Sequence, residues 1–249
     1  MSLSNARLNS LLQAGGGSLG HDVWRANQMG SYRSTIIKSG FPALDKELPG
    51  GGWPASALIE LLLQQHGIGE LRLLRLALKA VGQKRAVVLI DPPYMPNAAA
   101  WSEWGLSADQ LLLIRPRRTA DALWSAEQVL RNGSCGALLF WQPQVRDEAL
   151  RRLQLAAQGS DTMCWLLRPS IAAQNSSPSP LRLALKPVAG GISVHVVKRR
   201  GPQHEQPFTI VLDEERARVA SEPTSVRALV QAPAKPQAAA SSVAALHSA

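Results

Sequence analysis

Short apolar runs alternate along this chain with stretches in which apolar positions recur every three or four residues. The runs Ala57 to Leu63, Ala86 to Asp91, Leu111 to Arg115, Gly136 to Trp141 and Met163 to Arg168 carry few or no charges, the pattern of strands buried on both faces. Between the first two, the spacing predicts a helix over Glu70 to Val81. Leu71, Leu74, Leu78 and Val81 form its inner face, Arg72, Arg75 and Lys79 lie outward, and Gly82 stops it. A second helix is predicted over Thr119 to Asn132, with Thr119 as N-cap, Leu123 and Leu130 inward and Gly133 at its end. A third covers Asp147 to Gln158, with Leu150, Leu153 and Ala157 inward and Gly159 as its stop. Strands alternating with helices imply right-handed crossovers and a parallel sheet covered on both faces. After Arg168 the pattern changes to Leu181 to Lys186, Ile192 to Lys198 and Phe208 to Leu212, joined by Gly190-Gly191 and Gly201-Pro202. These read as antiparallel strands extending one edge of the sheet.

The two ends differ from this middle. In residues 1–34, Leu8, Leu11 and Leu12 share one face of an amphipathic stretch from Ala6 to Gln13, followed by Gly15, Gly16 and Gly17, which predicts a partly helical, loosely attached arm. Residues 221–249 contain nine Ala, five Ser and three Pro and no aromatic residue. Such a segment has too little apolar surface to offset the entropy of ordering it, so a disordered tail is expected. The α/β domain is expected over residues 35–215.

Composition sharpens the picture in three respects. At 249 residues and 45% hydrophobic content, the chain can fill a core. Its 27 basic and 18 acidic residues leave +9, which favours acidic protein surfaces or polyanions as partners. The two cysteines, Cys135 and Cys164, lie in apolar stretches and exclude a disulfide scaffold, and no apolar run reaches membrane-spanning length. A cytoplasmic protein is expected.

An α/β sheet binds ligands at the carboxyl ends of its strands, so the turn Gln64-Gln65-His66-Gly67-Ile68-Gly69-Glu70-Leu71 is the first place for chemistry. A phosphate-binding loop needs glycines that aim amides at phosphate, a lysine for the terminal phosphates and a hydroxyl for magnesium. Here Gly67 and Gly69 are present, but Glu70 and Leu71 stand where lysine and hydroxyl would be. The strand ending in Trp141 lacks a magnesium-organising aspartate, and Asp91 is a lone acid before Pro92-Pro93. No catalytic residue and no cofactor are assigned. Gly15 to Gly20 matches glycine-rich motifs literally, yet no strand precedes it and it reads as a linker. The five histidines show no metal-ligand spacing, and the cysteines have no electropositive neighbours.

Most of the seven tryptophans are expected in the core. Trp53 and Trp101, in Gly/Pro-rich or loop-like surroundings, and Trp24, with Leu8, Leu11 and Leu12 in the arm, are candidates for a partner surface. Lys198-Arg199-Arg200 ends a strand, with Arg182 and Lys186 on the preceding one, and forms a candidate basic edge for acidic protein or phosphate.

Several motifs in order resemble the ImuA family: Ser39-Gly40-Phe41-Pro42-Ala43-Leu44-Asp45, Leu48-Pro49-Gly50-Gly51-Gly52-Trp53-Pro54, Ile59-Glu60-Leu61-Leu62 and Gly67-Ile68-Gly69-Glu70-Leu71-Arg72-Leu73-Leu74. Ala122 to Arg131, Arg151 to Ala157 and Lys198-Arg199-Arg200-Gly201 continue the likeness, which spans about Val23 to Leu212. These proteins are similar to the RecA ATPase core and related to the SulA cell-division inhibitors. The resemblance implies a RecA-like three-layer α/β core with a mainly parallel sheet. It also implies an SOS-inducible accessory role in mutagenic translesion synthesis beside ImuB and an error-prone DNA polymerase, with RecA as a further partner and nucleoid association after damage. Set against RecA, Gly69 matches the last P-loop glycine, Glu70 and Leu71 take the lysine and hydroxyl positions, Pro93 lies near the catalytic glutamate position, and Trp141 replaces the aspartate ending the Walker B strand. The resemblance therefore implies no ATPase. The SulA kinship supplies the alternative, an inhibitor that binds FtsZ.

Overall fold

The computed structural model describes residues 35–201 and 206–212. The arm with Leu8, Leu11, Leu12 and Trp24, and the segment 221–249, lie outside the described residues. Ten strands and five α-helices follow in order: β1 (Ile36–Ile37), α1 (Pro42–Glu47), β2 (Trp53–Pro54), β3 (Leu58–Leu63), α2 (Glu70–Gly82), β4 (Val87–Ile90), α3 (Ala98–Glu103), β5 (Leu111–Ile114), α4 (Thr119–Asn132), β6 (Ala137–Trp141), α5 (Asp147–Gln158), β7 (Met163–Pro169), β8 (Leu181–Val188), β9 (Gly191–Lys198) and β10 (Phe208–Val211).

β1 and β2 form a small antiparallel pair, and the other eight strands form one sheet in the order β10-β9-β8-β3-β7-β6-β4-β5. From β5 to β8 all neighbours are parallel, while β9 and β10 add antiparallel. One expectation needs correction: β8 lies parallel to β3, with Ile59 opposite Leu181 and Leu61 opposite Leu183, so only β9 and β10 are antiparallel additions. The crossover that makes β8 parallel runs through residues 170–180, which include a single 3-10 turn, Ser170–Gln174.

Side-chain alternation along β3 divides the interior into two cores. Ile59, Leu61 and Leu63 join the core under α1, α2 and α3, together with Trp53, Leu74, Leu78, Trp101 and Trp165. Leu58 faces the opposite core under α4 and α5, with Phe140, Leu130 and Leu153. Helices, sheet and helices make three layers. Burying each of these large side chains stabilises the fold by about 1.5–3 kcal/mol.

α4 and α5 have the bounds that their periodicity predicts, although the capping residue of α4 is Arg118 rather than Thr119, and Arg118 makes no side-chain cap. Instead its guanidinium bonds Asp121 one turn on, at 3.0 Å through both Nε and Nη2, and holds that carboxyl below its ordinary range. The turn after α4 needs a left-handed residue, and Gly133 provides it at φ 65°.

Candidate functional site

β3 delivers the chain to a turn of exposed residues, Gln64 to Gly67, after which α2 begins and packs Leu73, Leu74, Ala77 and Leu78 into the core that Ile59, Leu61 and Leu63 enter. Gly67 and Gly69 adopt φ of 77° and 103°, and the φ > 0 conformation suits residues without a Cβ. A Cβ on Gly69 would also lie 2.6 Å from the Leu212 side chain, so the turn is packed against the end of β10. Arg72 donates to the Leu212 carbonyl at 3.1 Å and holds the same junction from α2.

The side chain of Glu70, the first residue of α2, folds back into this turn. Oε1 accepts from the Gly67 amide at 3.0 Å and Oε2 from the Gly69 amide at 3.1 Å, and the residue is 5% exposed. Amides converging at a helix N-terminus form an anion site, and a carboxylate is an anion. The chain thus supplies its own occupant for the position a phosphate would take. Leu71 turns inward and packs against the core.

Three neighbouring strand ends complete the region. β6 ends in Trp141, buried, followed by buried Gln142. β4 runs into Asp91, at φ 53°, a left-handed conformation uncommon outside glycine but more tolerable for Asp. Its amide donates to the Ile114 carbonyl at 2.9 Å, which fixes this strand end to β5. Together with His66 from the turn and the end of β7, these residues line a cleft of about 110 Å³. That is below the roughly 300 Å³ at which small-molecule sites begin. Among the described residues, no group of His, Cys, Asp and Glu could hold a metal ion.

The tryptophan candidates are corrected. Trp53 is fully buried and meets Trp165 of β7 edge-to-face, with ring centroids 5.9 Å apart. Trp101 is buried in the α3 layer beside Trp104. Local Gly and Pro mark turns, but the side chains that leave those turns point inward. Among the described residues, the exposed tryptophan is Trp124 on α4, 64% exposed.

The basic edge likewise divides. Lys198 donates to the Ser177 carbonyl at 2.6 Å, and Arg199 reaches both the backbone carbonyl and the carboxylate of Glu47 on α1 at 2.7 Å. Both side chains fasten the end of β9 to neighbouring segments, so Arg199 is not at an exposed strand end; Arg200 alone of the three is exposed. Arg182 is buried. It joins Arg168 around Glu60, with Arg168 Nη1 at 3.0 Å and Arg182 Nε at 3.4 Å from the carboxylate, and Ser177 donates to the same group. Arg182 also donates to the carbonyls of Asn175 and Ala172 at 2.9 and 2.6 Å. A lone Glu inside the apolar run of β3 was the available signal for this cluster, because a buried carboxylate requires a buried cation.

Burial raises the thiol pKa of both Cys135 and Cys164, which disfavours the reactive thiolate. Among the described residues, no helix is long and apolar enough to cross a membrane.

No protein-family model matches the chain, and no curated protein matches it. Among solved structures, the chain is similar to one described as the crystal structure of SulA from Pseudomonas aeruginosa, at 26% sequence identity and a TM-score of 0.38. The alignment covers 47% of this chain and 99% of that one.

Proposed function

We propose that this chain is a damage-inducible accessory protein of mutagenic translesion DNA synthesis, a degenerate RecA-like adaptor that works without ATP. In this reading it binds ImuB and meets RecA or the error-prone polymerase. The observation that carries it is the Glu70 carboxylate held by the Gly67 and Gly69 amides. A group already bonded there, and of the same sign as a triphosphate, competes with and repels nucleotide. Leu71, directed into the core, offers no hydroxyl for magnesium. The ordered motifs that resemble the ImuA family, from Ser39 to Leu74 and onward to Gly201, support the choice of pathway.

Titration calorimetry of the full chain with Mg-ATP tests the nucleotide-free part. The expected result is no binding. A low-micromolar dissociation constant, about 8 kcal/mol of binding free energy, would overturn it. The partner assignment is tested by capture from DNA-damaged cells, with ImuB, polymerase or RecA expected. Recovery of FtsZ without these would replace the adaptor reading with a division inhibitor.

A further inference from the structure

β5 is the last strand on the parallel side of the sheet, bonded to β4 and to no other strand among the described residues. The Ile114 carbonyl accepts from the Asp91 amide, so the backbone polar groups of Ile114 face β4. These groups alternate along a strand, which turns the amide and carbonyl of Leu113 outward, away from the sheet. The Leu111 amide is taken up by the Ala108 carbonyl, leaving its own carbonyl on the same outer side. Edge strands of soluble proteins usually discourage further pairing with a lysine, a proline or a bulge. β5, Leu-Leu-Leu-Ile in unbroken register with β4, has none of these, and Leu112 and Leu113 are 51% and 36% exposed. Charges stand just outside the strand: Asp109 precedes it, and Arg115 and Arg117 follow it. All three are exposed, and their side chains make no ion pair or hydrogen bond among the described residues.

We propose that β5 pairs antiparallel with β5 of a second copy of this chain, closing a two-fold dimer in which the two sheets continue into one. The stretch Asp109 to Arg117 is complementary to itself when reversed. With the axis near Leu112 and Leu113, the acid that enters one strand comes beside the arginines that leave the other, and symmetry repeats the contact. A parallel arrangement of the same stretch would set like charge beside like, so the charges select the antiparallel one. On each face the exposed leucines meet apolar side chains of the other β5 and leave water. A contact built on a four-residue strand is short, so association is expected at micromolar rather than nanomolar chain concentrations. β5 lies four strands from β3 and its turn, and the inference goes beyond the adaptor reading without depending on it.

Sedimentation equilibrium of the full chain over about 1–500 µM tests this, with a monomer–dimer equilibrium as the expected result. Asp109→Arg, and separately Arg115→Asp combined with Arg117→Asp, set like charges together and should each weaken dimerisation at least about tenfold. An equimolar mixture of these two variants restores opposite charges at both contacts and should dimerise again, a recovery that misfolded chains could not give. Leu112→Lys, at an exposed position, should abolish the dimer and leave the thermal midpoint unchanged. A monomer throughout the range would overturn the proposal and leave the edge to another occupant, a strand of a partner protein or residues 1–34. So would a dimer that survives Leu112→Lys and the charge reversals, which would place its contact on another face, or a mixture that associates no better than either variant alone. Growth beyond dimers would overturn it as well, because β5 would then meet a different surface of the next copy in an open chain. None of these outcomes involves nucleotide, so each leaves the nucleotide-free reading standing.

Discussion

Two buried glutamates, Glu60 within β3 and Glu70 just beyond it, satisfy their carboxylates by opposite means. Glu60 is fully buried between two guanidiniums and a serine hydroxyl, in the span covered by the 170–180 crossover. Glu70 is held by two backbone amides at the mouth of a turn. The first arrangement places three formal charges out of water, where the desolvation cost is offset only while every partner stays. The second uses partial charges that the backbone must present in any case once the turn has formed. Position therefore decides whether a buried acid is a structural liability or a cap.

The largest expected effect separates these cases. Glu60→Ala leaves Arg168 and Arg182 buried without their counter-ion and should cost about 3–5 kcal/mol, lowering the thermal midpoint by roughly 10 °C. The triple replacement Glu60→Leu, Arg168→Met, Arg182→Met removes all three charges and should recover most of that loss; a triple variant no more stable than Glu60→Ala would show that the cluster contributes more than mutual neutralisation.

Next comes the contrast between adjacent arginines. Arg199→Ala breaks a largely buried pair with Glu47 and should cost about 2 kcal/mol, while Arg200→Ala should stay within about 0.5 kcal/mol, both read from urea denaturation midpoints. Equal losses at the two positions would contradict the division of the basic edge.

The smallest effect belongs to the turn. Glu70→Ala frees two amides that water can partly reach and should cost about 1 kcal/mol, with Glu70→Gln losing less because its carbonyl oxygen still accepts. A loss at Glu70→Ala matching that at Glu60→Ala would mean the turn carries far more of the fold than its two hydrogen bonds suggest.

How much of this was legible depended on whether a signal was local. The bounds of α4 and α5 could be read because their apolar stripes and terminal glycines lie within the elements themselves. The degenerate turn was visible because Glu70 stands directly after Gly69, but the return of its side chain to the Gly67 amide was not, since that depends on turn dihedrals. α3 was missed: six residues show barely one turn of periodicity, and its signal was Asn97, whose side chain caps the Ala99 amide at 3.0 Å. Trp53 was misplaced because its neighbourhood is a turn in sequence, whereas its packing partner, Trp165, comes from β7. Arg182 was placed beside the candidate basic edge because its partner Glu60 belongs to a different strand. The last two errors concern contacts between residues distant in the chain.

The strand order also sets a timetable for synthesis. β3 lies in the middle of the sheet, yet both its neighbours, β7 and β8, come from the second half of the described chain, with Leu58 opposite Cys164 and Ile59 opposite Leu181. At ribosomal speeds of about 5–20 residues per second, its backbone waits roughly 5–20 s after emerging before a ladder partner exists. During that interval the segment Leu-Ile-Glu-Leu-Leu-Leu is an unpaired, strongly apolar strand. Glu60 is then its one charged position, and it interrupts what would otherwise be an aggregation-prone run. The acid that is costly to bury in the finished molecule thus protects the nascent chain before its arginine partners have been made.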